Sequence, residues 1–264
     1  MTAVFAITAS RIFDGQNFHQ DAALVVDGSK VGAVMPQSKL PAGMKTLPVG
    51  NGLIAPGFID LQVNGGGGVL FNNQPDVTGI ETICAAHARF GTTALMVTLI
   101  TDVPAIRNTA VEAGCQAAQD AVPGFLGLHL EGPHLSVARK GTHHPGLIRP
   151  MQQPDLERLM ALEGAFDALM ITVAPENTSE DQVRALASAG FIVSLGHTNT
   201  AYEIAEAYAK AGARTATHLF NAMSPLENRS PGLVGAALNL GHLHAGIIAD
   251  GFHVHPASMS IALR

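Results

Sequence analysis

From Leu53 onward the sequence alternates short apolar runs with amphipathic stretches, and this alternation limits the folds that the chain can adopt. The amphipathic stretches include Pro154–Leu162, Ser179–Ala189 and Tyr202–Ala211. The runs predicted as strands are Leu53–Val63, Thr92–Ile100, Gly124–Gly132, Ala168–Glu176, Phe191–His197, Thr215–Asn221 and Ala245–His253. Apolar runs separated by helices predict parallel strands joined by crossover helices.

Polar residues collect at the C-terminal ends of several of these runs, as they do at the mouth of a (β/α)8 barrel. An open doubly wound sheet is the alternative, and it would need no eighth strand. We predict an α/β fold, a TIM-type (β/α)8 barrel of which this chain supplies seven of the eight strands. The segment His255–Arg264 begins like the next helix, so we expect strand eight beyond Arg264 and a fragment of a longer protein.

The first 52 residues differ in pattern and predict a separate small unit. The runs Phe5–Ala9, Ala22–Val26 and Lys30–Met35 are rich in β-forming residues and are separated by Asp-Gly turns. They predict an antiparallel unit that is part of a small β-sandwich. We therefore expect residues 1–52 to belong to the sandwich and residues 53–264 to form the barrel, incomplete at its C-terminus.

The composition excludes several functional classes. The chain has 15 basic and 21 acidic residues, a net charge of −6, with 14% charged and 47% hydrophobic residues. These values indicate a large core and exclude a disordered chain or a basic nucleic-acid-binding protein. No run approaches the ~18 apolar residues of a membrane span, and no basic residues precede the N-terminal apolar stretch as in a signal peptide. With Cys84 and Cys115 predicted as buried thiols, we expect a cytoplasmic protein.

Histidines and carboxylates concentrate near the ends of the predicted strands. Ten of the twelve histidines lie between residues 129 and 255. The C-terminal ends of barrel strands converge on one mouth, so side chains that are distant in sequence can meet there. Glu131, His197 and His218 offer one carboxylate and two imidazoles, the set that leaves one position for water in catalytic zinc sites. For any one of these histidines, a hydrogen-bonded core position without metal is the alternative.

Two further features admit more than one interpretation. The run Gly65–Gly68 lacks the Gly-Lys-Ser/Thr ending of a phosphate loop and the spacing of a dinucleotide fingerprint, which favours a tight turn. Arg229 alone is typical of an ordinary surface residue. Beside Asn221 and His253 at the same mouth it is a candidate anion-binding residue, because a guanidinium matches phosphate geometry.

Six segments together carry a family resemblance. They are Ala55–Gly65, His129–Pro133, Lys140–His143, Ser194–Thr198, Thr217–Met223 and Ala249–His253. In this order and at these spacings the chain resembles the N-acetylglucosamine-6-phosphate deacetylase family of the amidohydrolase superfamily. The resemblance runs from about residue 3 to residue 264, and only the C-terminal part of the family pattern is missing.

The resemblance implies one catalytic divalent ion, zinc by default, bound by Glu131, His197 and His218. Most superfamily members carry His-x-His at the end of strand one, where this chain has Gln62 and Asn64. An amide is a poor zinc ligand beside imidazole, so we expect a second metal position there to be empty or weak.

The resemblance also implies substrate contacts. His143 is expected to hydrogen-bond the acetyl carbonyl and stabilise its oxyanion, and the adjacent His144 is the alternative. The remaining implied substrate-binding residues are Thr142, Asn221, Ala222, Arg229 and His253. Family members are dimers, so we expect a homodimer in which Arg229 reaches the neighbouring subunit's site. The general base of the family is an Asp on strand eight, expected here beyond Arg264; Asp250 does not match it.

The implied activity is metal-dependent hydrolysis of N-acetyl-D-glucosamine 6-phosphate to D-glucosamine 6-phosphate and acetate, in amino-sugar catabolism. We expect a small-molecule substrate and neither nucleic acid nor membrane as partner. One alternative is another amidohydrolase, such as a dihydroorotase or deaminase, against which Gln62, Asn64 and Glu131 argue. The other is a truncated, non-catalytic relative that binds sugar phosphate. Without the strand-eight Asp, the 264-residue chain is expected to bind metal poorly or turn over slowly.

Overall fold

The computed structural model describes residues 4–264, which form two compact units. The boundary between the units lies after Phe58, whereas the sequence places the domain boundary after residue 52. Within residues 4–264, no helix combines the length and the apolar composition that crossing a bilayer requires.

The first unit contains a mixed five-stranded sheet in the order β3-β2-β1-β4, with β5 also paired to β1. Its strands are β1 (Val4–Phe13), β2 (Phe18–Asp27), β3 (Lys30–Pro36), β4 (Thr46–Pro48) and β5 (Leu53–Ile54). The first three are antiparallel, as predicted. The sequence did not predict β4 and β5 as part of this unit; both run parallel to β1, after a 3-10 turn at Gln37–Lys39.

The second unit is built on a curled seven-stranded parallel sheet in which each strand lies beside the preceding one. Its strands are β6 (Phe58–Val63), β9 (Thr92–Ile100), β10 (Phe125–Glu131), β11 (Met170–Val173), β12 (Ile192–Leu195), β13 (Thr215–Ala216) and β14 (His244–Ala245). Between β6 and β9 lies a hairpin of β7 (Gly65–Gly66) and β8 (Val69–Leu70). The predicted α/β barrel wall of seven strands is confirmed.

In the part of the chain that the structure describes, seven α-helices accompany these strands. They are α1 (Val77–Ala88), α2 (Pro104–Gln119), α3 (Gln153–Met160), α4 (Glu180–Ser188), α5 (Tyr202–Ala211), α6 (Gly232–Asn239) and α7 (Pro256–Ala262). The three helices predicted from amphipathic stretches are therefore present. Of the predicted buried thiols, Cys84 on α1 is buried and Cys115 on α2 is half-buried.

Strand β10 shows how the sheet separates two environments. Leu128 packs against α2 at Gly114, where even a Cβ would lie 2.6 Å from a Leu128 methyl group. The alternate residues His129 and Glu131 bond to side chains from other strands on the inner face. This period of two places apolar packing on the helical side and polar groups inside the curled sheet.

Two predicted strands are too long at their ends. The run Thr215–Asn221 leaves the sheet after Ala216, because His218 adopts the left-handed region with φ 38°. The run Ala245–His253 ends at Ala245, and Asp250 accepts the backbone N–H groups of Phe252 and His253 in a turn. His253 therefore lies on a loop and not at a strand end.

The predicted strand Leu53–Val63 is divided. Leu53–Ile54 pairs with β1 in the first unit, whereas Phe58–Val63 pairs with β9 in the second. Pro56 and Gly57 lie between the two pieces, and proline cannot donate to a sheet ladder. The glycine run that follows forms the predicted tight turn, with φ 62° at Gly67.

Substitution of Gly127 tests how closely β10 packs beside the segment that leads into β11. It has φ 148°, and a Cβ at this position would overlap the carbonyl oxygen of Ala168. We expect Gly127→Ala to lower the free energy of unfolding by about 2 kcal/mol, as overpacking of a core does. Urea denaturation measures the loss. Gly241→Ala is the control, because a Cβ there meets nothing within 4 Å, and equal stability of the two variants would contradict this account.

Candidate metal centre and active site

The three predicted metal ligands lie at the C-terminal ends of neighbouring parts of the sheet. Glu131 is the last residue of β10, and His197 and His218 follow β12 and β13. His197 has φ 48° and His218 has φ 38°, values that are uncommon for residues other than glycine. The left-handed backbone conformation ends β12 and β13 just before these residues and directs the two imidazoles toward Glu131.

The structure brings these three side chains together. Glu131 Oε1 lies 3.1 Å from His197 Nε2 and 3.2 Å from His218 Nε2. The two Nε2 atoms are 3.0 Å apart. All three side chains are buried. Residues separated by more than sixty positions in the sequence thus converge on one point at the mouth of the sheet.

The Glu131 carboxylate is held in its charged form. Burial raises its pKa, but hydrogen bonds with the His197 and His218 rings outweigh burial and hold the pKa well below its usual value. Gln62 Nε2, from β6, donates a further hydrogen bond of 3.0 Å to Oε1. A buried carboxylate surrounded by donors is an anionic centre suited to a cation.

The His197 ring has a defined orientation. Its Nδ1 donates to the backbone carbonyl of Arg139 at 2.9 Å, because a carbonyl can only accept. Nε2 is therefore the ring atom that faces Glu131. It donates to the carboxylate when both ring nitrogens carry protons, and a neutral ring presents its lone pair there, as a metal-binding imidazole needs. Gly141 packs under this ring with φ 55°, and a Cβ there would lie 3.2 Å from His197 Cε1.

His143 presents a hydrogen-bond donor to the same point. The backbone N–H of Thr101 donates to its Nδ1 at 3.3 Å, and the Thr101 hydroxyl lies 2.8 Å from the same atom. Burial, with help from the nearby His197, lowers the pKa of His143 to about 4, so the ring is neutral and carries its proton on Nε2. Within residues 4–264 this buried Nε2 has no hydrogen-bond partner, and it lies 3.8 Å from Glu131 Oε2.

Two sets of three residues could hold a metal ion. Ligand atoms of Glu131, His143 and His197 lie within 4.8 Å of one another, as do those of the predicted set with His218. A neutral imidazole with its proton on Nε2 cannot coordinate through that atom. The hydrogen bond from Thr101 to Nδ1 therefore favours His218 as the ligand and His143 as a donor.

The set of Glu131, His197 and His218 fits a divalent ion on its own chemistry. Two Nε2 atoms whose lone pairs face each other at 3.0 Å repel unless a proton or a cation lies between them. One carboxylate and two imidazoles are ligands that zinc prefers. On β6, the first strand of the seven-stranded sheet, the Gln62 side chain already donates to Glu131. The backbone carbonyl of Asn64, just after β6, accepts from the backbone N–H of Phe71.

Some of the predicted substrate-binding residues lie beside this centre. The backbone N–H of Asn221 donates to the His218 carbonyl at 2.9 Å. The Ala222 carbonyl accepts from Thr198, next to His197, at 3.2 Å. Thr142 precedes His143 and is exposed. These residues border the mouth of the site.

The other predicted residues lie farther out. Arg229 is exposed on the loop before α6. His253 is exposed, and its Nδ1 lies 2.6 Å from Asp250 Oδ2. Within residues 4–264 neither side chain bonds to the metal-ligand set. His144, the alternative to His143, is exposed and caps a 3-10 turn at Pro145–Leu147 by accepting from Gly146.

Sequence reasoning missed a buried chain of polar groups beneath the site, which we call the hydroxyl ladder. It consists of Thr98, His129, Thr172, Thr217 and Ser194. Its successive distances are 3.3, 2.7, 2.7 and 2.6 Å, and each member is at most 4% exposed. The signal for it lies in polar residues that occupy the inward-facing positions of otherwise apolar strands.

The hydroxyl ladder fixes the backbone beside one of the candidate metal ligands, His218. Thr217 directly precedes His218, and β13 contributes only Thr215–Ala216 to the sheet. Burial lowers the pKa of His129 to about 4, so its neutral ring accepts at one nitrogen and donates at the other. The two residues of β13 form few sheet hydrogen bonds. The hydrogen bonds of Thr217 to Thr172 and Ser194 therefore stabilise the C-terminal end of this short strand.

Replacing Thr217 with its isostere tests the hydroxyl ladder. Thr217→Val leaves two buried hydroxyl groups short of a partner, and each such loss costs about 1–3 kcal/mol. We expect urea denaturation to show a decrease of that size in the free energy of unfolding. Thr109→Val, on the exposed face of α2, is the matched control and should change stability by less than about 0.5 kcal/mol. A Thr217 variant as stable as the control would disprove the role of the ladder.

Comparison with known proteins agrees with this architecture. Residues 53–264 match the amidohydrolase family and residues 4–51 match the NagA composite domain. The N-acetylgalactosamine-6-phosphate deacetylase of Shewanella sp. (strain ANA-3) is 44% identical over 81% of this chain, which spans 54% of that relative. The N-acetylglucosamine-6-phosphate deacetylase of Haemophilus influenzae is 38% identical over 97% of this chain and 67% of its own length.

A solved structure gives the same result. The crystal structure of N-acetylglucosamine-6-phosphate deacetylase from Pasteurella multocida matches with a TM-score of 0.91 at 35% identity, covering 98% of this chain and 68% of that one. The chain spans about half the length of the Shewanella relative. The resemblance predicted from six sequence segments is confirmed, and the chain belongs to the amidohydrolase family.

Proposed function

We propose that this chain carries the metal-binding and carbonyl-activating part of an N-acetylglucosamine-6-phosphate deacetylase. The observation that carries the proposal is the convergence of Glu131, His197 and His218 within 3.2 Å, with the His143 Nε2–H beside them. The names of the relatives from Haemophilus influenzae and Pasteurella multocida support the same reaction. The reaction is hydrolysis of the acetamide to D-glucosamine 6-phosphate and acetate.

The proposed cofactor is one divalent ion, zinc, held by Glu131, His197 and His218. Bound there, it would supply a Lewis acid for the amide carbonyl and lower the pKa of water toward about 7. Gln62 and Asn64, on and just after β6, carry amides, which are poor zinc ligands beside imidazole, so a second strong metal position there is unfavourable.

His143 has a separate role in this proposal. Its Nε2–H donates to the acetyl carbonyl oxygen, where negative charge develops during attack. One such preorganised donor typically contributes about 3 kcal/mol to catalysis. Thr101 keeps the proton on Nε2 by donating to Nδ1, so it acts as a positioning residue.

The departing amine requires a proton, so a carboxylate must take the proton of the attacking water and hand it on. Glu131 is unsuited to this task because its Oε1 already faces His197, His218 and Gln62, and its Oε2 lies beside His143. By family resemblance the base is an Asp beyond Arg264, which stays a prediction.

The sugar phosphate is proposed to bind at the outer part of the mouth, through Thr142, Asn221, Ala222, Arg229 and His253. Arg229 and His253 are exposed and, within residues 4–264, make no bond to the metal-ligand set. This suits a phosphate, which is attached to a different carbon of the sugar from the acetamide. We further propose a homodimer in which Arg229 serves the neighbouring site, and a cytoplasmic location, in keeping with the free thiols of Cys84 and Cys115.

A second candidate substrate is N-acetylgalactosamine 6-phosphate. The Shewanella relative that carries this sugar in its name shares 44% identity with the chain. The two sugars differ only in configuration at C4, remote from the acetamide, so the same machinery serves both. Comparing kcat/KM for the two epimers in one assay decides which sugar the mouth selects.

Metal binding separates the two possible ligand sets. We expect one zinc ion per chain by elemental analysis, and a loss of affinity of a hundredfold or more in His218→Gln, since even outer-shell partners are worth ~10–100-fold. His143→Gln should keep its zinc, as should His242→Gln, an exposed control. Loss of zinc in His143→Gln with retention in His218→Gln would reverse the assignment.

Acetate release tests the activity. In the metal-loaded protein extended through strand eight, we expect His143→Gln to lower kcat by about 10²–10³-fold, as removal of an oxyanion donor does. His144→Gln, the adjacent control, should leave kcat unchanged. The 264-residue chain should bind the sugar phosphate but turn over slowly. Sugar-phosphate binding without acetate release by the extended protein would instead support the non-catalytic alternative.

A further inference from the structure

A cavity of about 210 Å³ lies on the helical side of the sheet, between α2, α3 and strands β10 and β11. Its apolar floor is formed by Val111, Leu130, Leu159, Leu162 and Ile171. The helix pairs on either side pack directly, α1 on α2 and α3 on α4, whereas α2 and α3 are separated by this space. Because Leu130 alternates with His129 and Glu131, the cavity is on the opposite face of β10 from the candidate metal centre.

A cluster of charges borders this cavity. Asp155 is 4% exposed, and both of its oxygens accept from Arg149. Oδ1 also accepts from Arg158 at 2.6 Å, and Oδ2 from the backbone N–H of Gln152 at 3.0 Å. A carboxylate offers about four lone-pair sites, so Asp155 has no acceptor capacity left.

Arg107 is the remaining charge of this cluster. It lines the cavity from α2 and is half-buried. Within residues 4–264, no ion pair or hydrogen bond engages its guanidinium, and exposed Glu112 at the rim does not pair with it either. Burial, together with the charges of Arg158 and Arg149, lowers the pKa of Arg107, and the charge of Asp155 only partly opposes this shift. A half-buried guanidinium beside an apolar cavity is a binding position for a carboxylate.

We propose that this cavity is a second ligand site, which binds a small carboxylate with an apolar body through Arg107. The volume exceeds the ~150 Å³ of a cavity that takes up benzene, so a ring or branched chain fits the apolar floor. A carboxylate matches the Arg107 guanidinium in a bidentate pair, whereas a phosphate dianion would require more donors than Arg107 offers. The site is independent of the proposed deacetylase activity and requires no metal.

Benzoate is the probe for this site, measured by isothermal titration calorimetry on the 264-residue chain without metal. We expect saturable binding at one site. Arg107→Gln should weaken it at least tenfold, as loss of a charge-assisted hydrogen bond does. Arg184→Gln, an exposed arginine on α4, is the matched control and should bind as the unchanged chain does.

Two further binding measurements test the proposal even if the Arg107→Gln variant fails to fold. Benzyl alcohol has the same ring without the charge and should bind at least tenfold more weakly than benzoate. Val111→Phe fills the cavity while leaving Arg107 in place and should abolish binding. Absence of benzoate binding by the unchanged chain, or equal binding by Arg107→Gln or Val111→Phe, would overturn the proposal.

Discussion

The site depends on one buried carboxylate. Burying the charge of Glu131 is unfavourable unless donors or a cation compensate for the lost water. Here His197, His218 and Gln62 surround one of its oxygens, and they come from three different parts of the sheet. The curl of the sheet is what brings them within 3.2 Å, so fold and site are specified together. The same short distances place two Nε2 atoms and one carboxylate oxygen together, and these atoms repel one another unless a proton or a cation lies between them.

Orientation of the rings is set by groups that touch no ligand. The Arg139 carbonyl fixes the proton of His197 on Nδ1, and the Thr101 N–H fixes that of His143 on Nε2. Two imidazoles with opposite tautomers then face one carboxylate, one as an acceptor toward metal and one as a donor. The left-handed backbone at His197 and His218 stores strain, which the hydroxyl ladder offsets by holding the adjoining backbone.

The sequence was sufficient for the strand order and for the convergence of Glu131, His197 and His218, whose role as metal ligands stays a prediction. Strand β9 has the predicted bounds Thr92–Ile100, because its continuous apolar run is buried on both faces. The sequence was insufficient where the backbone conformation of one residue decides where a strand ends. The end of β13 depends on φ 38° at His218, and the loop position of His253 depends on hydrogen bonds to Asp250. Neither leaves a periodic signal. The tautomer of His143 requires a contact with Thr101 that spacing alone does not reveal.

The two faces of β10 connect the candidate metal centre with the cavity behind it. Glu131 faces inward, and the segment Gly132–His134 that follows it forms part of the cavity wall. Arg149, which grips Asp155, also donates its backbone N–H to the Pro133 carbonyl and accepts from the His134 ring. The charge cluster and the Glu131 carboxylate are therefore joined through three residues of backbone. The alternation of a single strand thus places the candidate metal centre and the cavity on opposite faces of the same segment.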